Sequence, residues 1–363
     1  MPSTLLPQRA FLRPPPSSTL TIVASLLQQH HHHNIPSRTY ASHSTKSKSH
    51  SRPSSSAQPT SPSTSTTSTT TLANDINPPP STRPADLSLP ATLPPSSSPS
   101  DHVKRYISIG RAYLTFYKTG LKNVYHNYRA ALPVRRTLNL PTYIPSSPPT
   151  TTAASFLRTL HSAGLSRSQF QLLRRSAYDI RRMIPFSLVL IICGEMTPLA
   201  VLALGNAITP LTCRIPRQLE KERVKRAVRK RDALVPVGAV TAPTVGSDAE
   251  MRVLKEMVNG EWIRTARPGD ILRACAALGL TKSHTRPEWL VGVLYRPRLR
   301  RYAEYLEVDD GLISSGGGVS GMEAAEVRIA VEERGGVGVG GKEDWETERE
   351  ERRWLGKWLA DKE

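Results

Sequence analysis

Residues 185–211 carry a single charge, Glu195, in an otherwise apolar run read as PFSLVLIICGEMTPLAVLALGNAITPL. No other part of the chain is so apolar. At ~1.5 Å per residue such a run makes roughly 40 Å of helix. A bilayer core about 30 Å thick needs ~20 apolar residues. The length suffices for one tilted or kinked crossing, with Pro185, Pro198 and Pro210 as kink positions, and is too short for two full ones. The competing arrangement is a helical hairpin buried in a soluble protein and broken at 194–198. A chain only 38% hydrophobic has little else with which to wrap such a hairpin, so a single transmembrane helix over 185–211 is the expectation.

Glu195 lies near the middle of the run. A carboxylate at that depth costs about 2.5–3.5 kcal/mol on insertion scales and is normally paired, protonated or next to water. Burial disfavours its charged form. It is therefore a candidate for an ion or proton path; the plainer role is a neutral cap where the helix breaks at Pro198.

The chain has 363 residues, 49 Lys+Arg against 30 Asp+Glu, a net charge of +19 and 31 prolines. That proline content with modest hydrophobicity excludes a uniformly packed globule and a polytopic transporter. Cys193, Cys213 and Cys275 are too few and too scattered for a disulfide framework. A reducing compartment fits them better.

Residues 1–70 contain no acid, while Arg9, Arg13, Arg38, Lys46, Lys48 and Arg52 are set among Ser and Thr. Basic, Ser-rich and acid-free is the composition of an organelle transit peptide. Arg38-Thr39-Tyr40-Ala41 has the form of a mitochondrial processing site, with cleavage between Tyr40 and Ala41. Residues 1–40 are read as the leader, and His30 to His33 as a low-complexity run within it. Over 41–100, 39 of 60 residues are Ser, Thr or Pro. Such a segment buries too little apolar surface to offset its chain entropy, so it is read as a disordered tether.

Both flanks of the apolar run are basic. Ser166 and Gln169 form a capping box ahead of a helix with Phe170, Leu173, Ala177, Ile180 and Ile184 on one face. Arg174, Arg175, Arg181 and Arg182 stand elsewhere around it, and Pro185 is expected to end or kink it. After the run, residues 214–231 hold nine basic residues and two acids. Arg217, Lys221, Arg223, Lys225, Arg226, Arg229, Lys230 and Arg231 make this the densest positive run. These two basic helices suit anionic lipid headgroups or ribosomal RNA phosphates. The richer downstream side is expected to face the negative compartment, the matrix of a mitochondrion.

Beyond 231, short helices are expected. One starts at Pro268, with Ile271, Leu272, Ala274, Cys275 and Leu278 inward before Gly279. Others cover 287–294 and 297–307. Ser320 is read as the cap of a helix reaching Glu333, with Gly335 at its end. Trp345, Leu355, Trp358 and Leu359 are read as packing residues of a last helix. Gly336 to Lys342 formally matches a glycine-rich phosphate loop. It lacks the preceding strand and the Ser or Thr after the lysine, and is read as a flexible loop.

The stretch 168–226, SQFQLLRRSAYDIRRMIPFSLVLIICGEMTPLAVLALGNAITPLTCRIPRQLEKERVKR, resembles the LETM family, the leucine zipper/EF-hand-containing transmembrane proteins. The resemblance rests on Pro185-Phe186 after a basic helix, Glu195 with nearby Pro198 inside the span, and Pro210 before the second basic helix. Upstream, RAYLTFYKTGLKNVYHNYRAA is similar to the family's aromatic and basic helix. Downstream, RPGDILRACAALGL, RLRRYAEYLEVDDGLI and EVRIAVEERGG followed by WLGKWL resemble its ribosome-binding region. Glu195 and Pro198 are one residue closer than in the best-known members, and long coiled coils are absent. Asp309-Asp310-Gly311 lacks the alternating oxygen ligands of an EF-hand, so Ca²⁺ regulation is not carried over.

The resemblance implies a mainly α protein of the mitochondrial inner membrane. Its parts would be pre-membrane helices over 101–184, one span over 185–211 and a helical ribosome-binding domain over 212–363 in the matrix. Its partners would be the mitochondrial ribosome and inner-membrane lipids, with roles in membrane-protein insertion and ion homeostasis. One alternative is K⁺/H⁺ or Ca²⁺/H⁺ exchange with Glu195 in the path. A single kinked helix forms no pore, so exchange would need a homo-oligomer. Another is a lipid-surface scaffold. No catalytic set, metal site, cofactor or DNA partner is readable; His161 and His284 stand alone.

Overall fold

The computed structural model describes residues 75–94, 96–194, 209–235, 242–341 and 343–360. The cleavage positions Arg38, Tyr40 and Ala41, and Glu195 and Pro198 of the apolar run, lie outside them. The described regular structure is helical, as the periodicities require. In chain order it comprises α1 (Pro99–Thr137), α2 (Ala153–Ser162), α3 (Arg167–Cys193), α4 (Pro216–Leu234), α5 (Asp248–Met257), α6 (Gly260–Thr265), α7 (Pro268–Ala277), α8 (Arg296–Ser315), α9 (Ala324–Glu333) and α10 (Asp344–Ala360). A π-helical turn over Val291–Tyr295 leads directly into α8.

The main core lies between α4, α5, α7, α8, α9 and α10. Leu254, Ile271, Cys275, Leu299, Ile313, Val327, Leu355 and Trp358 are all buried there. A second cluster joins α2 and α3 to α8 through Phe156, Leu160, Phe170, Tyr305 and Leu312. A third holds α1 on α3 through Ala131, Leu172 and Leu173. Gly120 lets α1 approach the turn Leu211–Cys213. A Cβ there would come within 2.8 Å of Cys213 Sγ and 2.9 Å of the Thr212 carbonyl oxygen.

Several sequence expectations are corrected. The expected tether ends by residue 75. Ile76 is buried in the main core, Asn77 Nδ2 donates to the Gly321 carbonyl at 2.8 Å, and Arg83 pairs with Glu323 at 2.6 Å. Pro185 does not end its helix: α3 runs through it to Cys193. A proline costs the i−4 bond, but the flanking turns here continue. Ser320 sits in a short 3₁₀ turn, and α9 begins after Glu323 instead. Within the expected glycine loop of 336–342, Gly336 and Val337 are buried, whereas Gly338, Gly340 and Gly341 are exposed. The chain path here uses positive φ at Gly335 (86°) and Gly338 (92°), and Lys230 Nζ donates to the Val337 carbonyl at 3.0 Å. Trp358 and Leu355 pack as expected, whereas Trp345 is 64% exposed.

The largest correction concerns the single span. Among the described residues no helix is long and apolar enough to cross a membrane. The two regions expected on opposite faces of a bilayer are in direct contact. Arg167 Nε meets Asp309 Oδ1 at 2.9 Å, and Arg175 grips Glu326 with bonds of 2.9 and 2.8 Å. The Leu211 N–H donates to Asp179 Oδ1 at 2.6 Å. Asp179, just before the apolar run, and Leu211, at its end, are therefore neighbours in the body. One crossing would separate these groups by a hydrocarbon layer of about 30 Å. The region expected as a matrix domain, 212–363, and the region expected as pre-membrane helices, 101–184, are in contact as one body.

Candidate functional site

Twelve basic residues flank the apolar run in the sequence reading, and tertiary packing sorts them into two groups. The first is internal. Arg175 is buried against Glu326, and Arg174 donates to Glu333 at 2.8 Å while stacking 3.3 Å from the Tyr305 ring centroid. Burial works against the Arg174 charge, but Tyr305 and Glu333 outweigh it and hold its pKa above the usual arginine value. Arg223 meets Glu332 at 2.6 Å, Arg226 Nη2 donates to the Glu332 carbonyl at 3.0 Å, and Arg229 meets Glu222 at 2.6 Å. Lys230 is buried against Glu250 at 2.8 Å, with burial lowering its pKa. These side chains join α3 and α4 to α5 and α9.

Behind them lies an ion-pair cluster that the sequence reading did not identify. Asp309 accepts from Arg167, from Gln171 Nε2 at 2.7 Å and from Arg334 Nη2 at 2.8 Å. Asp310 accepts from Arg334 at 2.5 Å and from Trp358 Nε1 at 3.1 Å. Burial alone would raise the Asp309 pKa; Arg167 and Arg334 overcome it and hold the carboxyl well below its ordinary range. The Asp-Asp-Gly string that fails as an EF-hand is thus the acidic centre of the helical body. Its sequence signal was two adjacent acids on an otherwise apolar face of α8.

The second group faces outward. Arg217, Lys221, Lys225 and Arg231 are exposed on one side of α4, with Val224 and Val228 exposed between them. Their three- and four-residue spacing lines them along a single face. Each of the inward arginines sits on the opposite side. The ridge begins at the point where the chain returns from the apolar run. There Arg214 Nη2 donates to Tyr178 Oη at 2.6 Å, Arg182 stacks 4.4 Å from the Tyr178 ring, and Arg181, which donates to Ser147, is exposed. Pro210 is buried at this junction.

The junction also buries Asp179. Burial raises its pKa to about 6, against the Leu211 N–H, Arg214, the Thr212 N–H and Arg182, all of which favour the charge. Burial likewise pushes the Cys213 thiol up to about 11 and the Cys275 thiol up to about 12. Both are thiols at neutral pH. Among the described residues no group of His, Cys, Asp and Glu is placed to hold a metal ion.

The first part of the apolar run, on α3, exposes apolar surface. Ile184, Leu188, Ile191 and Ile192 on α3 face outward, the last two at 78% and 80% exposure. The first half of α1 exposes Val103, Tyr106, Ile107 and Leu114, and α1 runs antiparallel to α3. Ala131 packs at Leu172 and Leu173, whereas Gly120 sits at the turn tied to Asp179. Both helices therefore carry bare apolar faces toward the same pole. Comparison with protein-family models, curated proteins and solved structures finds no match to this chain.

Proposed function

We propose that this chain is a LETM-like protein of the mitochondrial inner membrane that binds the mitochondrial ribosome from the matrix side, with roles in membrane-protein insertion and ion homeostasis. The observation that carries the reading is the α4 ridge of Arg217, Lys221, Lys225 and Arg231, exposed and without an ion pair among the described residues, while the neighbouring cations are consumed internally. A row of exposed cations with no acidic partner is suited to phosphates, whose neutralisation releases counterions. The ridge starts where the apolar run rejoins the body, which would hold a bound ribosome at the membrane surface. Because Asp179 and Leu211, which bracket the run, are in contact, the run would enter and leave the bilayer from the matrix face. This replaces the single crossing of the sequence reading.

Binding of the full chain to purified mitochondrial ribosomes, measured against salt, tests this. Each phosphate contact contributes roughly 0.7–0.9 to the slope of log K against log salt. Replacing Arg217, Lys221, Lys225 and Arg231 with Gln is expected to lower the slope by about 3. Binding that ignores salt, or a slope unchanged in the variant, would sink the ribosome reading.

Ion exchange through an oligomer with Glu195 in the path is a separate proposal, supported by the chemistry of an acid in an apolar run. Potassium acetate swelling of mitochondria carrying Glu195→Gln tests it; wild-type swelling removes the role.

A further inference from the structure

The segment 282–301 holds six basic residues and one acid, Glu288, and exposes an aromatic–aliphatic patch outside α1 and α3. Trp289 is 75% and Val293 81% exposed, and Leu294 is exposed beside them. Val293 and Leu294 lie outside on the π-helical turn, where Val291 and Tyr295 face the core. Lys282, Arg286 and Arg298 are exposed around the patch. Arg296, in contrast, is spent on the Ile263, Arg264 and Ala266 carbonyls.

Two helix pairs fix where this patch points. α7 runs antiparallel to α4: Arg273 donates to the Val235 carbonyl past the end of α4, and Gly279 abuts Arg226 earlier in it. The chain leaving α7 therefore heads toward the start of α4, where the apolar run returns. α8 runs antiparallel to α3: Asp309 meets Arg167, and Tyr302 lies near Arg174. The start of α8, with Trp289 and Val293 just before it, therefore lies in the direction in which α3 carries Ile191 and Ile192 outward. Trp345 lies at the other end. Thr347, two residues on, contacts Gly340 and Gly341, and this loop is tied to Lys230 near the end of α4.

We infer that Trp289, Val293 and Leu294 form a second membrane contact, an interfacial wedge that inserts into an anionic bilayer beside the apolar run, with Lys282, Arg286 and Arg298 at the phosphate headgroups. An indole is at home at the headgroup level, and juxtamembrane cations strengthen binding to anionic leaflets. A nucleic-acid platform would use the indole but gain nothing from two bare aliphatic side chains at its side. The inference rests on the membrane reading above and adds a second, peripheral attachment that sets how the helical body sits on the bilayer.

The full chain is reconstituted into vesicles of phosphatidylcholine with phosphatidylglycerol, in which a fraction of the lipid carries brominated acyl chains. Retention after an alkaline wash reports anchoring, and quenching of tryptophan fluorescence reports the wedge. The wild type is expected to be retained and quenched. Trp289→Phe is expected to be retained and to lose that quenching, while Trp345→Phe keeps it. The pair Lys282→Gln and Arg286→Gln should lower quenching to the level seen in phosphatidylcholine alone. Retention with Trp289 unquenched overturns the wedge and leaves the anchor standing. Quenching that disappears with Trp345→Phe means indiscriminate adsorption and also overturns it. A protein washed off both vesicle types overturns anchor and wedge together. A Trp289 signal that responds to single-stranded RNA and not to vesicles makes the patch an RNA platform and ends the membrane assignment. Trp289 is exposed, so its replacement should leave the helical circular dichroism unchanged.

Discussion

At Arg334, three bonds to two carboxylates converge in a site with no access to water. A buried ion pair contributes little over a well-packed apolar substitute, but removal of one partner strands the other in a poor solvent. Arg334→Ala is therefore expected to destabilise the protein by ~3–5 kcal/mol, measured by urea unfolding followed by circular dichroism. Arg217→Ala, on the open ridge, should stay within about 0.5 kcal/mol. Asp179 gives a pH signature of opposite kind to Asp309. Its folded pKa of about 6 lies above the ordinary value of 3.8, so the folded state holds the proton more tightly. The Asp179 contribution to stability is then greatest below pH 3.8 and is lost as the pH rises through the window up to about 6. At roughly 1.4 kcal/mol per pKa unit the loss is about 3 kcal/mol. Asp179→Asn keeps an acceptor for the Leu211 N–H and should remove this slope from a pH series of unfolding free energies. Asp309, with its depressed pKa, stabilises the fold above the ordinary carboxylate range and loses that effect only as acid drives it through its folded value. Neither behaviour was legible in sequence. Nothing in the sequence pattern marks Asp179, and Asp309-Asp310 was read only as a failed calcium loop. Their partners lie far along the chain, as the Arg167 to Asp309 pairing shows.

Among the elements, α7 was the easiest to read. Pro268 starts it, Ile271, Leu272, Ala274 and Cys275 face inward, and Gly279 follows at φ 72°, where a left-handed backbone favours glycine. Local signals sufficed because both caps lie within the segment. α3 resisted the same reasoning. Pro185 normally stops a helix, yet α3 continues to Cys193. The division of labour on α4 was also hidden. Its composition says only that it is basic; Glu332, Glu222 and Glu250 decide which cations remain outside. The contact of α1 with the 211–213 turn depends on one missing side chain. Gly120→Ala places a methyl against a backbone carbonyl and the Cys213 sulfur, and should cost about 1–3 kcal/mol, visible as a lowered midpoint in thermal unfolding.

For the molecule as a whole, the consequential result is that 101–184 and 212–363 share one core. Cysteines introduced at Lys118 and Trp345, both exposed, in a Cys193→Ser background, are expected to react with an impermeant maleimide from the same side of the membrane in reconstituted vesicles. Labelling of the two from opposite sides would refute the shared core. The exposed stripe on α1, the bare end of α3 and the Trp289 patch share a pole, while the α4 ridge climbs away from it. That arrangement gives the body one apolar end and one cationic flank.

Periodicity and residue type alone determined the helical class, the apolar run and its acid, the two basic flanks, and several individual helices, because each depends on neighbours within a few turns. The sequence could not determine which side of the apolar run each flank occupies, which arginines stay available to a partner, or why two adjacent aspartates are tolerated in a core. Those follow from pairings between residues far apart in the chain, 159 positions between Arg174 and Glu333 and 240 between Arg83 and Glu323. Desolvation makes such pairings obligatory once the helices meet, and the chain order of charges carries no mark of which will meet which.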